Sequence, residues 1–158
     1  TLGLPAGAAT LLVSVSGLGG MLLAFPAGML IDRLANPAQG RRTLMLALVA
    51  LLLAASFALL GVHDAPWLMW PIAALWGAAG GNLYTLTMTD ISSRERGITL
   101  VNSTAVLVLA YTLGALVASS ISGALIDASP WLGFPLVLVL VSGLATGALV
   151  RARRRRDI

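Results

Sequence analysis

Asn82, Tyr84, Thr85, Tyr111 and Thr112 each bring a hydrogen-bonding group into a stretch that is otherwise almost wholly aliphatic. An amide in an apolar environment costs free energy unless it finds partners or faces water. Asn82 is therefore the leading candidate for lining a polar cavity, and an interhelical hydrogen bond is its competing role. Tyr84 and Tyr111 offer ring faces as well as hydroxyls, with local packing as the plainer reading. Trp76 reads as a packing or lipid-facing ring. Asp90, Arg94, Glu95 and Arg96 form a second, ionic group that can join Asp32 and Arg41 in a charge network. A solvated loop is the alternative, because exposed ion pairs contribute only about 0–1 kcal/mol.

Other chemistries lack their parts. The chain has no cysteine, which removes a disulfide framework, a thiolate nucleophile and cysteine metal sites. A single histidine, His63, excludes a haem held by two His ligands. No metal and no cofactor are expected. Ser14 and Ser16 could serve a nucleophile, but serine needs a base within hydrogen-bond reach, and His63 lies far along the chain.

The elements that position these groups follow from hydropathy and charge. Of the residues, 58% are hydrophobic and 10% charged, against about 25% charged in an average soluble domain. A soluble chain of this composition would expose large greasy patches. A membrane span needs about 20 mostly apolar residues, and five stretches qualify, near 7–31, 43–61, 67–89, 98–126 and 131–150. They must be helices, since open strands leave backbone groups unsatisfied in lipid. Short connections predict antiparallel packing of sequence neighbours. Trp67, Trp70 and Trp131 fall at span ends, where indole rings favour the interface. The fold class is an all-α polytopic membrane helix bundle.

All ten positive charges are arginines. Arg33, Arg41 and Arg42 follow the first stretch, Arg94 and Arg96 the third, and Arg151, Arg153, Arg154, Arg155 and Arg156 the last. The connections around 62–67 and 127–131 have none. Short arginine-rich loops are retained in the cytoplasm, so this alternation predicts five crossings with the tail at 151–158 cytoplasmic. The net charge of +4 does not point to nucleic acid, because the arginines sit at span ends beside anionic headgroups. The first residues then lie outside without a basic leader, which predicts at least one upstream helix and hence a fragment. Four-residue spacings of small residues at Gly77/Gly81, Gly143/Gly147, Ala24/Gly28 and Gly114/Ala118 predict close helix contacts.

After the first span the sequence reads Gly28-Met29-Leu30-Ile31-Asp32-Arg33 and then Gly40-Arg41-Arg42. This resembles the cytoplasmic loop motif of the major facilitator superfamily, in which a glycine, an Asp-Arg pair and a Gly-Arg-Arg cluster link two helices. Asp32 can accept from Arg41 or Arg42, or face a helix N-terminus, where negative charge is favoured. The chain departs from the motif by carrying 34–39 where one residue is usual. A second match is Gly80-Gly81-Asn82-Leu83-Tyr84, Asp90 and Ser92-Ser93-Arg94-Glu95-Arg96-Gly97, followed by Tyr111, Gly114 and Gly123. It resembles the eighth to twelfth helices of a bacterial facilitator protein, with Ala118-Ser119 where a Gly-Pro step is frequent. The third span lacks the arginine near its start that marks the amino-terminal half.

The resemblance implies five helices of a six-helix carboxy-terminal half, in a bacterial drug-efflux-like branch at the inner membrane. It implies alternating access around a site between two halves, with the lipid bilayer, the missing amino-terminal half and a small-molecule substrate as partners. The cavity residues would be Asn82, Tyr84, Thr85, Tyr111 and Thr112. The loop motif and charge network would be Gly28, Asp32, Arg33, Gly40, Arg41, Arg42, Asp90 and Arg94, and the packing glycines Gly77, Gly81, Gly114 and Gly123. No ionised side chain falls in the middle of a span, so the expected cargo is an apolar or cationic compound leaving the cell. Asp32→Asn is expected to lower transport while leaving insertion intact; a wild-type transport rate in that variant removes the latch role. Two alternatives remain: a non-transporting membrane interaction protein, and an intramembrane serine hydrolase, since Ser14-Val15-Ser16-Gly17 resembles the serine context of rhomboid proteases.

Overall fold

A computed structural model of the chain describes residues 6–33, 36–62, 65–129 and 132–154. Five helices follow in order: α1 Ala6–Asp32, α2 Pro37–Ala58, α3 Met69–Arg94, α4 Gly97–Ala128 and α5 Gly133–Arg154. Short 3-10 turns at Leu59–Gly61 and Pro66–Leu68 flank the connection between α2 and α3. At about 1.5 Å per residue, even the 22-residue helices reach the thickness of a hydrocarbon core.

Helix ends depart from the hydropathy boundaries for local reasons. α2 begins at Pro37, six residues before the apolar stretch starts, because Asn36 caps it. The Asn36 side chain accepts from the Gln39 amide at 3.2 Å, and proline occupies the first turn, where a missing N–H costs nothing. Residues 36–39 of the inserted segment 34–39 are thus cap and first helical turn. α3 runs past Asp90 to Arg94, and α5 continues through Arg154 into the basic tail. Gly97 opens α4 at a φ of +54°, a backbone conformation that side chains disfavour, and so permits the sharp reversal from α3.

Among the described residues, α1, α2, α4 and α5 contain stretches long and apolar enough to cross a membrane. The expected fifth, α3, does not reach that apolarity. It carries Asn82, three threonines, two serines and Asp90, and it is tolerated because it is the best-covered helix: α1 packs on one flank and α2 on another. The other flank of α2 meets α5, and α5 holds α4.

The expectation that sequence neighbours pair holds for α2 with α3 and for α4 with α5. It fails for α1, whose main partner is α3 rather than α2. Ser16 meets Gly77 and Gly20 meets Gly81, so residue numbers rise together and the two helices run parallel. The cause is a matched stripe of small residues. Ser16, Gly20, Ala24 and Gly28 recur every fourth position on α1, as do Ala73, Gly77 and Gly81 on α3, and such stripes let backbones approach closely.

Two clusters form the core. Ile31, Leu48, Ala79 and Leu86 pack toward one end, which also carries Arg41 and Arg94, and Ala55, Val62, Met69 and Ile72 toward the other. Among the described residues, the largest fully buried side chains are serines. Ser56 and Ser142 return their protons to Leu52 and Leu138 carbonyls at 2.7 and 2.6 Å, so no hydroxyl proton is stranded. α4 buries no residue at all, and Val106, Tyr111 and Leu116 are more than half exposed.

Candidate functional site

α1 and α3 touch backbone to backbone at one level and separate below it. A Cβ on Gly77 would collide with the Ser16 carbonyl, and one on Gly19 with the Ala74 carbonyl. Two turns further along, a Cβ on Gly28 would meet nothing within 4 Å. The opening between these levels is an open-sided cavity of about 130 Å³, along which Ala24, Gly28, Thr85 and Thr89 are exposed. α1 contributes Ala24, Ala27, Gly28 and Ile31 to its wall. Arg41 comes from α2, and Asn82, Thr85, Leu86 and Thr89 come from α3.

Asn82 sits at the top of this cavity and is 3% exposed. Its Nδ2 donates to the Gly20 carbonyl across the interface at 3.0 Å and to the Ala78 carbonyl of its own helix at 2.8 Å. Two carbonyl partners fix which way the amide faces, since the oxygen would be repelled there. Asn82 thus joins α1 to α3 and also stands in the wall of this cavity. Its Oδ1 accepts from no described residue.

The hydroxyls of Thr85 and Thr89 donate to Gly81 and Thr85 carbonyls at 3.4 and 2.9 Å, which leaves their oxygens as acceptors. Thr112, on α4, bonds to Val108 and Leu109 carbonyls of its own helix and does not reach the cavity wall. Tyr84 and Tyr111 form a pair of their own between α3 and α4, with ring centroids 5.3 Å apart and planes tilted by 54°. Such tilted contacts are favourable for aromatic quadrupoles. The pair is separate from the Asn82 cavity, whose wall includes neither ring.

The charged residues meet at the arginine end of the bundle. Asp90 accepts from Arg94 Nη2 at 2.8 Å and Nε at 3.1 Å, and Arg41 Nε lies 3.6 Å from the same carboxylate oxygen. Arg41 also donates through Nη2 to Ser93 Oγ at 2.9 Å, and Ser93 passes its own proton to the Asp90 carbonyl. The Arg41 side chain is only 12% exposed, and its Nε has no hydrogen-bond partner. Arg33 and Arg42 are exposed, and Gly40 is half-buried in the first turn of α2. The Asp32 side chain lies outside the described residues, as does His63.

Of the expected packing glycines, Gly77 is buried against Ser16, and Gly81 stands so that an added Cβ would lie 3.8 Å from Gly20 Cα. Gly114, Gly123, Gly143 and Gly147 have open space where a side chain would stand. Gly19, Gly20 and Gly133 are close-approach positions not singled out in the sequence; Gly133 abuts the Leu125 carbonyl at the corner between α4 and α5. Ser93 is likewise a new member of the charge cluster. Ser14 donates to Thr10 within α1, and Ser16 faces Gly77, so neither stands beside a described base. Among the described residues, no group of His, Cys, Asp and Glu is gathered as a metal site.

Long apolar helices with backbone groups closed within them and a largely aliphatic exposed surface define a multi-pass membrane helix bundle. Residues 1–158 match the family model of the Major Facilitator Superfamily, and the chain belongs to that superfamily of transporters. No curated protein and no solved structure gave a match.

Proposed function

We propose that this chain is part of a secondary active transporter that moves a small solute across the bacterial inner membrane by alternating access, with its arginine end cytoplasmic. The observation that carries the reading is the family match along residues 1–158. Five helices correspond to most of a six-helix carboxy-terminal half, whose partner half would complete the site near the midplane. Asn82 and Thr85 at the α1–α3 cavity, and Tyr84 with Tyr111 beside α4, are the side chains offered to the solute.

An apolar or cationic compound moving outward fits these groups best. The ring faces of Tyr84 and Tyr111 attract cations, most strongly where water is excluded. The arginine excess at one end disfavours resting a cation there, which favours release from the other side. The test is flux through the complete protein in proteoliposomes, against a panel of apolar cations, neutral compounds and hydrophilic anions. Saturable flux of cations or apolar compounds is expected. Transport restricted to a hydrophilic anion would overturn the substrate class, and no flux of any solute would favour a purely interacting membrane protein.

A further inference from the structure

We infer that Gly80 opens a notch on α3 that seats the head of a quaternary ammonium compound between Trp76 and the Tyr84–Tyr111 pair. As a solute site the notch rests on the transport reading and narrows its substrate class. Trp76, Gly80 and Tyr84 recur at four-residue spacing, so they stand one above another on a single face of α3. Gly80 supplies no side chain to that row. A Cβ there would meet one described atom within 4 Å, Cζ3 of Trp76 at 3.9 Å. The six-membered ring of Trp76 therefore borders the space, while its Nε1 is closed to solvent. From the other side, long helical side chains lean back over the turn before them, which directs Tyr84 toward Gly80. Tyr84 is joined there by Tyr111 of α4, with ring centroids 5.3 Å apart.

Spacing and chemistry select the guest. At about 1.5 Å per residue, Trp76 and Tyr84 are about 12 Å apart along the axis, and Gly80 is about 6 Å from either. A cation is attracted to an aromatic ring within about 6 Å of its centroid, so one seated at Gly80 is in reach of rings on both sides. Trp76, Gly80 and Tyr84 are each half-buried, so the row is partly screened from its surroundings and still open to a guest. The nearest ionised residue on α3 is Asp90, about 15 Å further along the helix. With no carboxylate at hand, a metal ion or a primary ammonium would lose more in leaving water than the rings return. A quaternary ammonium has no N–H to leave unpaired and presents methyl groups to the rings. An anion would meet the negative ring faces.

Gly80 is then the position that sets specificity. Any side chain there would stand where the cation head belongs, and the fold itself does not forbid one, because 3.9 Å to Trp76 is ordinary van der Waals contact. In this Gly80 differs from Gly77, where the Ser16 backbone leaves no room. Filling the notch therefore separates a loss of binding from a loss of folding.

The test measures binding to the complete protein in detergent by titration calorimetry, with benzyltrimethylammonium and its uncharged isostere neopentylbenzene as probes. The cation is expected to bind at least about tenfold more tightly than the isostere, and more tightly than benzylammonium. Gly80→Val is expected to weaken the cation at least about tenfold, while Gly143→Val, at another glycine with open space, should leave it unchanged. Trp76→Leu should shrink the ratio of cation to isostere affinity, and Trp76→Phe should keep part of it; an indole that only packs would lower both probes alike. Equal affinity for cation and isostere would overturn the notch as a cation site. So would wild-type affinity in Gly80→Val protein that elutes as a single species. Either result in a protein that still carries solute removes the notch and leaves the transport reading standing. The expected affinities in a protein that moves no solute keep the notch and remove the transport reading.

Discussion

Gly77→Ala is expected to unseat α1 from α3 and to lower stability by at least about 1–3 kcal/mol, the usual cost of overpacking a closed contact. The new methyl would be driven into the Ser16 carbonyl and hydroxyl, and backbone cannot rotate aside as a flexible side chain can. The loss is compounded because the same contact aligns Gly20 with Asn82, whose cross-helix bond needs the two backbones close. Thermal melting in detergent, followed by the monodisperse fraction on size exclusion, reads the effect. Gly143→Ala is the matched control: its Cβ meets no described atom within 4 Å, and alanine is favoured over glycine in a helix by about 0.5–1 kcal/mol. Equal melting of both variants would show that the α1–α3 contact does not hold the bundle together.

Asn82→Asp is expected to be more damaging than Asn82→Leu, although aspartate is nearer in size and shape. The amide offers two N–H groups to the Gly20 and Ala78 carbonyls, and a carboxylate would set oxygen against oxygen at both. Charge within a span carries its own cost of at least about 2.5–3.5 kcal/mol. Leucine loses only the bonds; cross-helix hydrogen bonds in membranes average about 0.6 kcal/mol and reach about 1.7. The expected order of folded yield is therefore wild type, Asn82→Leu, Asn82→Asp. Transport should fall in both, since leucine also removes the acceptor at the top of the cavity. If the aspartate variant melts like the wild type, Asn82 is not clamped between carbonyls and its structural role is lost.

What the sequence revealed and what it hid divide along the length scale of the interaction. Helical character followed from apolar runs, and the Asn36-Pro37 start of α2 was present as a cap signal that hydropathy alone passes over. Gly77 and Gly81 announced a face made for close contact, but spacing on one helix does not say which helix fills it. The answer lay in the complementary stripe Ser16, Gly20, Ala24 and Gly28, of which only the last two positions stood out at first. The Arg41–Asp90 attraction was legible as charge. The Ser93 bond to Arg41 was not, because it joins positions 52 residues apart and depends on how far α2 slides along α3. Asn82 could be ranked but not resolved, since one amide has enough hydrogen-bonding capacity to bind a neighbouring helix and face a cavity together.

α4 illustrates a property that arises from dimension rather than from any side chain. Its 32 residues extend about 48 Å at the usual helical rise, while the oily layer it would traverse is about 30 Å deep. Leaning alone would demand an angle beyond the 0–40° common for such helices, so its ends must also project into the headgroup zones. Fixed to its neighbours mainly through α5, it has room to change slope. A thinner bilayer would lay it flatter and a thicker, sterol-like one would stand it upright, which makes its inclination a gauge of lipid depth.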